Sequence, residues 1–150
     1  MCPDPYQDRL LNTPMPCVAK LPVHGAVSAV LHARAEKRGL TLSPFPSRAV
    51  LKQEIHELIL TEEDAAPGAV VDLISYACFF EVLESGILWQ GDLVFINGRE
   101  VGTLAGYEFS HLPNHMNIIV RARKKAQTGQ EMKLQPGDPL EFRFVQNPIK

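Results

Sequence analysis

The sequence predicts a small, mainly β single domain, closed into a barrel or a barrel-like sheet, with room for one short helix. Three observations carry that expectation. Short alternating apolar runs recur through the second half, each bounded by Gly, Pro or Asn turn residues. Asn97-Gly98 separates two such runs, and this pair accepts the positive φ that a type I′ hairpin turn demands. Gly-Asp stands before two strands, in 90-QGDLVFI-96 and 136-PGDPLEF-142, and 67-PGAVVDL-73 shares the glycine. In small closed barrels glycine makes the sharp bend, and aspartate accepts backbone N–H groups beside it.

Residues 1–16 contain four prolines, Pro3, Pro5, Pro14 and Pro16, and little pattern. They are expected to form an extended arm, leaving 17–150 as the single β-rich domain. Two stretches of the first half are ambiguous. 26-AVSAVLHARAEKRG-39 has helix-forming composition and a glycine where a C-cap would sit. 50-VLKQEIHELIL-60 places Leu51, Ile55, Leu58 and Ile59 on one helical face, yet it also alternates as a strand. Pro44, Pro46, Val27, Val30 and Val50 favour extended chain, so strands are expected in both places.

Beyond these, 70-VVDLISYACFFEVL-83 is rich in β-branched and aromatic residues and reads as one long strand or two bent ones. Cys78, within it, is expected to be a buried small apolar residue. Strands are also expected at 93-LVFI-96, 99-REVGTLAGY-107, 116-MNIIVRAR-123 and 140-LEFRFV-145. In the last of these, Leu140, Phe142 and Phe144 share a face.

Composition narrows the function. The chain has 150 residues, 45% apolar and 21% charged, with a formal charge of −2. No basic face of the kind that nucleic-acid phosphates require is visible. The short run 121-RARKK-125 reads as a solvated strand end or loop. No window approaches the ~18 apolar residues of a membrane span. Cys2, Cys17 and Cys78 are odd in number and widely spaced, which fits free thiols and a reducing compartment. The first residues carry acids and prolines where an export signal needs a basic and then an apolar region. A cytoplasmic protein is expected, with neither nucleic acid nor membrane as partner. Phosphate-binding, dinucleotide-binding and serine-hydrolase motifs are missing, so those chemistries have no support.

The densest polar stretch is 107-YEFSHLPNHMNIIV-120. His111 and His115 lie four apart, but Pro113 restrains Leu112 away from the helical region. This predicts a turn, in which Asn114 and Asn117 stand beside the two imidazoles and Glu108 reaches the same volume. In 54-EIHE-57, Glu54 and His56 share one face of a strand and can join them. The expected site is therefore His111, Asn114, His115, Asn117 and Glu108, with Glu54 and His56 within reach, at the mouth of the barrel. It could take an anionic or sugar-like small molecule, or a divalent metal on His111 and His115. The competing reading is a wide connection stapled by its own side chains, with no ligand. A structural or regulatory module that self-associates as a homo-oligomer is the corresponding alternative function.

Several stretches resemble a small bacterial family of about this length with no assigned function. They are 50-VLKQEIHELILTEED-64, 86-GILWQGDLVFINGREVG-102, 106-GYEFSHLPNHMNI-118 and 137-GD-138. The likeness spans roughly 17–145, and its most specific part is His-x-Pro-Asn-His followed by Asn-Ile. In that pattern Phe-Asp often stands where this chain has Tyr107-Glu108, which lengthens the acid by one methylene. The resemblance implies a β-rich single domain and leaves the chemistry open.

Overall fold

The computed structural model describes residues 17–145, and every regular element within them is a β-strand. In chain order these are β1 (Val23–Val30), β2 (Arg34–Ala35), β3 (Leu40–Thr41), β4 (Ser47–Val50), β5 (Ile55–Thr61) and β6 (Val70–Val71). They continue with β7 (Ile74–Val82), β8 (Gly86–Trp89), β9 (Leu93–Ile96), β10 (Arg99–Glu108), β11 (Asn117–Ala122) and β12 (Pro139–Arg143). The short helix that composition allowed is not formed, and both ambiguous stretches contain strands. The proposed arm, 1–16, lies outside the described residues.

Seven strands close a barrel in the order β1-β12-β9-β10-β11-β5-β7, and β7 returns to pair with β1. Closure leaves no unpaired edge among those seven strands. The β5–β11 contact is parallel and the other six are antiparallel, so the barrel is mixed. β2 adds to β7, while β3–β6 and β4–β8 form separate two-stranded ribbons.

Alternation sorts the strand residues. Leu58, Leu60, Ile118, Val120, Phe80 and Phe142 belong to the main core inside the barrel. Ile59 and Ile119, on the other face of their strands, join Leu40, Leu42, Val71 and Ile74 in a second apolar cluster. That cluster lies outside the wall, where β3 and β6 cover it. Here the wall is buried on both faces, so six of the seven residues of β5 are buried. Double burial erases the period-two signal, which is why 50–60 reads as well for a helix as for a strand.

The Gly-Asp echo is structural. Asp92 accepts the Trp89 amide at 3.0 Å, and Gly91 takes φ +97°. Gly91 N–H donates to the Leu104 carbonyl, and Leu104 N–H donates back to the Asp92 carbonyl, both at 2.8 Å. Asp138 repeats this with the Gln135 amide at 2.8 Å and Gly137 at φ +94°, exchanging bonds of 2.7 and 2.9 Å with Val27. Two further copies exist. Pro67-Gly68-Ala69 makes the same exchange with Leu42 but lacks the acid. In Leu51–Glu54, Gln53 occupies the glycine position at φ +76°, and Glu54 accepts the Leu51 amide at 2.6 Å. One turn design thus leads into β5, β6, β9 and β12. The hairpin at Asn97 (φ +54°) and Gly98 (φ +76°) joins β9 to β10 with the two-residue loop expected.

Candidate functional site

Glu108, Asn117, Glu57 and Phe79 form one row across four neighbouring strands. Register pairs Glu108 with Asn117, Asn117 with Glu57, and Glu57 with Phe79. Glu57 alternates with the inward Leu58, and Asn117 with the inward Ile118, so this row projects from the outer wall. The site is therefore on the outside of the barrel, not at its mouth. Leu58 and Ile118 take the interior positions, which turns their neighbours Glu57 and Asn117 to the outer wall and away from the expected mouth.

The turn after β10 folds over this row. The Leu112–Pro113 peptide is cis, and the His111 carbonyl accepts N–H groups from Asn114 at 2.9 Å and His115 at 3.3 Å. The chain folds back on itself here, and the His111 ring stacks on His115 with centroids 5.0 Å apart. Phe79 meets His115 edge-on at the same 5.0 Å. Arg38 closes the outer side, donating to His111 Nε2 at 3.3 Å and to the Tyr76 hydroxyl at 3.2 Å.

Four side chains are committed to holding the turn. Glu108 accepts the Ser110 amide at 2.8 Å and the Asn117 Nδ2 at 2.7 Å. His56 Nδ1 accepts the Met116 amide at 3.0 Å, and Asn114 Nδ2 donates to His115 Nδ1 at 2.8 Å. With Nδ1 an acceptor, the His115 proton sits on Nε2.

Three groups remain after those staples. His115 Nε2 and Asn117 Oδ1 are buried without a well-formed hydrogen bond, although the Asn117 amide lies close enough to His115 to favour its charged form. The Glu57 carboxylate accepts no hydrogen bond among the described residues, and its Oε2 lies 3.6 Å from His115 Nε2. Exposure is graded across the site: His111 and Asn114 are open to solvent, whereas Glu57, Glu108, His115 and Asn117 are buried beneath them.

The two carboxyl groups are driven in opposite directions. Burial pushes Glu57 above its ordinary value, and the neighbouring Glu108 charge adds to it, while His111 and Arg38 oppose it. Burial would raise Glu108 too, but hydrogen bonds from Ser110 and Asn117, with Arg38, outweigh it and hold that carboxylate below the usual range. His115 is lowered by burial and by the adjacent His111, with the Asn117 amide working the other way. Two adjacent carboxyl groups pushed in opposite directions are an arrangement suited to acid–base or hydrogen-bond recognition work.

Of the residues expected from sequence, the turn and row bring together His111, Asn114, His115, Asn117 and Glu108. Glu54 and His56 are placed elsewhere. His56 lies on the face of β5 opposite Glu57, where burial lowers its pKa and its Nε2 is 3.5 Å from Glu54. Glu54 is occupied with its own turn. The acid that does reach the site is Glu57, which the structure turns outward because its neighbour Leu58 packs in the core. Arg38 and Phe79 have no local signal, since only the barrel's closure brings them here. Stacked His111 and His115 turn ring faces, not nitrogens, toward each other. No group of three or more His, Cys, Asp or Glu among the described residues is placed to hold a metal ion.

The fold and site define a closed, mixed seven-stranded barrel with a polar row on its outer wall. The chain belongs to a family of unknown function (DUF6917), whose model matches residues 17–143. Neither a curated protein nor a solved structure matches it. No helix among the described residues is long and apolar enough to cross a membrane.

Proposed function

We propose that this protein binds a small, neutral, hydroxyl-bearing molecule on the outer wall of its barrel, at Glu57, His115 and Asn117. One observation carries the reading: buried polar atoms are left over after the turn has been stapled. A stapled connection accounts for Glu108, His56 Nδ1 and Asn114, but it leaves His115 Nε2–H and Asn117 Oδ1 with no well-formed hydrogen bond, only their approach to one another. A buried unpaired polar atom costs about 1–3 kcal/mol. A hydroxyl both donates and accepts, so one group can serve the Asn117 oxygen, the His115 N–H or the Glu57 carboxyl. The Phe79 edge and the His111 ring offer apolar contact beside them, as sugar-like ligands use. Two carboxyl groups in one row disfavour an anion, although Arg38 could take one at the rim. Free thiols at Cys17 and Cys78 accord with a cytoplasmic setting for this binding.

The test is a panel of monosaccharides and polyols followed by NMR of the His115 and Asn117 side-chain resonances. A ligand is expected to shift both, and Asn117→Ala to abolish the shift. If no panel member moves either resonance, the reading is lost.

A second reading has its own observation. Leu51, Ile55, Leu83 and Ile87 are 62, 47, 41 and 43% exposed, around β4, β8 and the β7–β8 turn. Such a surface suits self-association of the chain. Sedimentation of the native protein against Ile87→Glu separates the two functions: only self-association responds to that change.

A further inference from the structure

At the opposite end of the barrel, where β5 and β11 finish and β10 begins, an open cleft of about 950 Å³ enters the wall. Its floor is the barrel's own core. Leu60, Ile96 and Leu134 are 1, 3 and 6% exposed, and the partly buried Val101 and Met132 pack on them and present the apolar surface of the cleft. Its rim carries Arg99, Arg123, Lys124, Lys125 and Lys133. Against these five cations the lining holds two acids, Glu100 and Glu131, which leaves a formal charge of +3. The whole chain carries −2, so the cleft concentrates charge opposite to that of the molecule.

Both acids are already engaged. Glu100 pairs with Arg123 at 3.3 Å. Glu131 pairs with Arg34 and accepts the Thr128 amide. Arg99, Lys124, Lys125 and Lys133 make no ion pair among the described residues. Lys133 sits at φ +58°, within the 129–133 turn, where its N–H donates to Gln130 and the Leu134 N–H donates to Gly129. The turn thus seats Leu134 in the floor while Lys133 stays at the rim.

We infer that this cleft binds an amphipathic phosphate: an aliphatic body against Val101, Met132, Leu134 and the methylene stems of the rim lysines, and a phosphate monoester among the rim cations. The floor favours an aliphatic group because no Phe, Tyr or Trp lines the cleft. Nucleobases need such stacking platforms, so single-stranded nucleic acid is a poor match despite the basic run 121-RARKK-125. A cleft of this volume lies in the range that encloses small organic ligands. The dianionic headgroup of a phosphate monoester matches four cations that have no carboxylate partner.

The experiment is isothermal titration of the full chain with monomeric octyl phosphate, and in parallel with octyl glucoside and with inorganic phosphate. Binding is expected for octyl phosphate, weakly for inorganic phosphate and not for the glucoside, and it should weaken as salt rises. Lys124→Gln with Lys125→Gln is expected to weaken it about fivefold to tenfold. Arg121→Gln, whose guanidinium instead pairs with Asp64 at 2.8 Å, should leave it unchanged. Vesicles containing phosphatidic acid distinguish a headgroup from a free phosphate ester. Capture that octyl phosphate competes away places the headgroup in the cleft. Capture that it cannot compete away reflects surface attraction and overturns the proposal. Equal binding of octyl phosphate and octyl glucoside, or unchanged affinity in the double lysine variant, overturns it as well.

Discussion

Glu57 Oε2 and His115 Nε2 lie 3.6 Å apart, each side chain about 10% exposed, and burial drives both toward their uncharged forms. A carboxyl whose pKa is raised on folding binds more protons folded than unfolded. Its contribution to stability is therefore present below the ordinary value of 4.5 and is lost as pH rises through the folded value. Glu57→Gln removes that loss. We expect the variant to match the native protein in acid and to exceed it by about 1 kcal/mol above neutrality, since a buried uncompensated charge has gone. Urea denaturation across the pH range reads this directly. A constant difference at every pH would show that Glu57 is not charged at neutral pH.

The staple and the site can be separated by mutation. His56→Ala leaves the Met116 amide without its acceptor, and we expect a loss of about 1–3 kcal/mol. His111→Ala with His115→Ala removes two rings but no backbone acceptor, so its melting temperature should fall by only a few degrees while ligand-induced shifts vanish. If the double variant is the less stable of the two, the imidazoles serve the turn and the binding site should be abandoned.

Gln53 offers a gain. It adopts φ +76° in a turn whose other three copies place glycine at the same point. A left-handed conformation costs a side-chain residue about 1–2 kcal/mol, offset in part by the greater unfolded-state freedom of glycine. Gln53→Gly is expected to stabilise by about 0.5–1 kcal/mol, and Gly137→Ala to destabilise by about 1 kcal/mol. Equal and opposite shifts in the denaturation midpoint would show that the copies are equivalent. Loss of stability in Gln53→Gly would show that its side chain has a role of its own.

These turns also show what could be read in advance. Gly91-Asp92 and Gly137-Asp138 carry their geometry in their residue types, and so does Asn97-Gly98. The copy at Gln53-Glu54 does not, because tertiary hydrogen bonds to Val82 hold a residue that would not choose positive φ alone. The turn at 107–117 was legible from Pro113, His111 and His115, and so was Glu108 beside them. Its partner Glu57 was hidden for a different reason. Burial of β5 on both faces removed the alternation that would have set Glu57 outward and His56 inward. Arg38 and Phe79 depend on barrel closure, which joins residues far apart in sequence and leaves no local trace.

For the hairpin, Gly98→Val should destabilise by about 1–2 kcal/mol, because a β-branched residue is strained at φ +76° even with open space around it. An unchanged midpoint would mean that the β9–β10 loop relaxes freely.

The last expectation concerns a pair with no sequence motif behind it. Lys20 Nζ lies 2.8 Å from Asp92 Oδ2, with side chains only 7 and 1% exposed. The same Oδ2 accepts the Trp89 amide, and Oδ1 is buried without a partner. Burial raises the Asp92 pKa, while Lys20 and the Trp89 amide pull it down. Lys20→Met removes the stronger of those opposing groups and leaves a carboxylate buried beside an apolar chain. We expect a loss of about 3–5 kcal/mol at neutral pH, the scale on which breaking one partner of a buried pair is felt. The sign of the pH effect follows. With Lys20 gone the folded Asp92 pKa rises further, so the variant loses stability as pH climbs above the ordinary 3.8 and is least impaired in acid. Asp92→Asn in the Lys20→Met background removes the stranded charge and should recover most of the loss while the Trp89 contact persists. Urea midpoints for the two single variants and the double variant measure the coupling. If Lys20→Met is as stable as the native chain at neutral pH, Asp92 is not held as an ion there, and the turn into β9 relies on its glycine and backbone bonds alone.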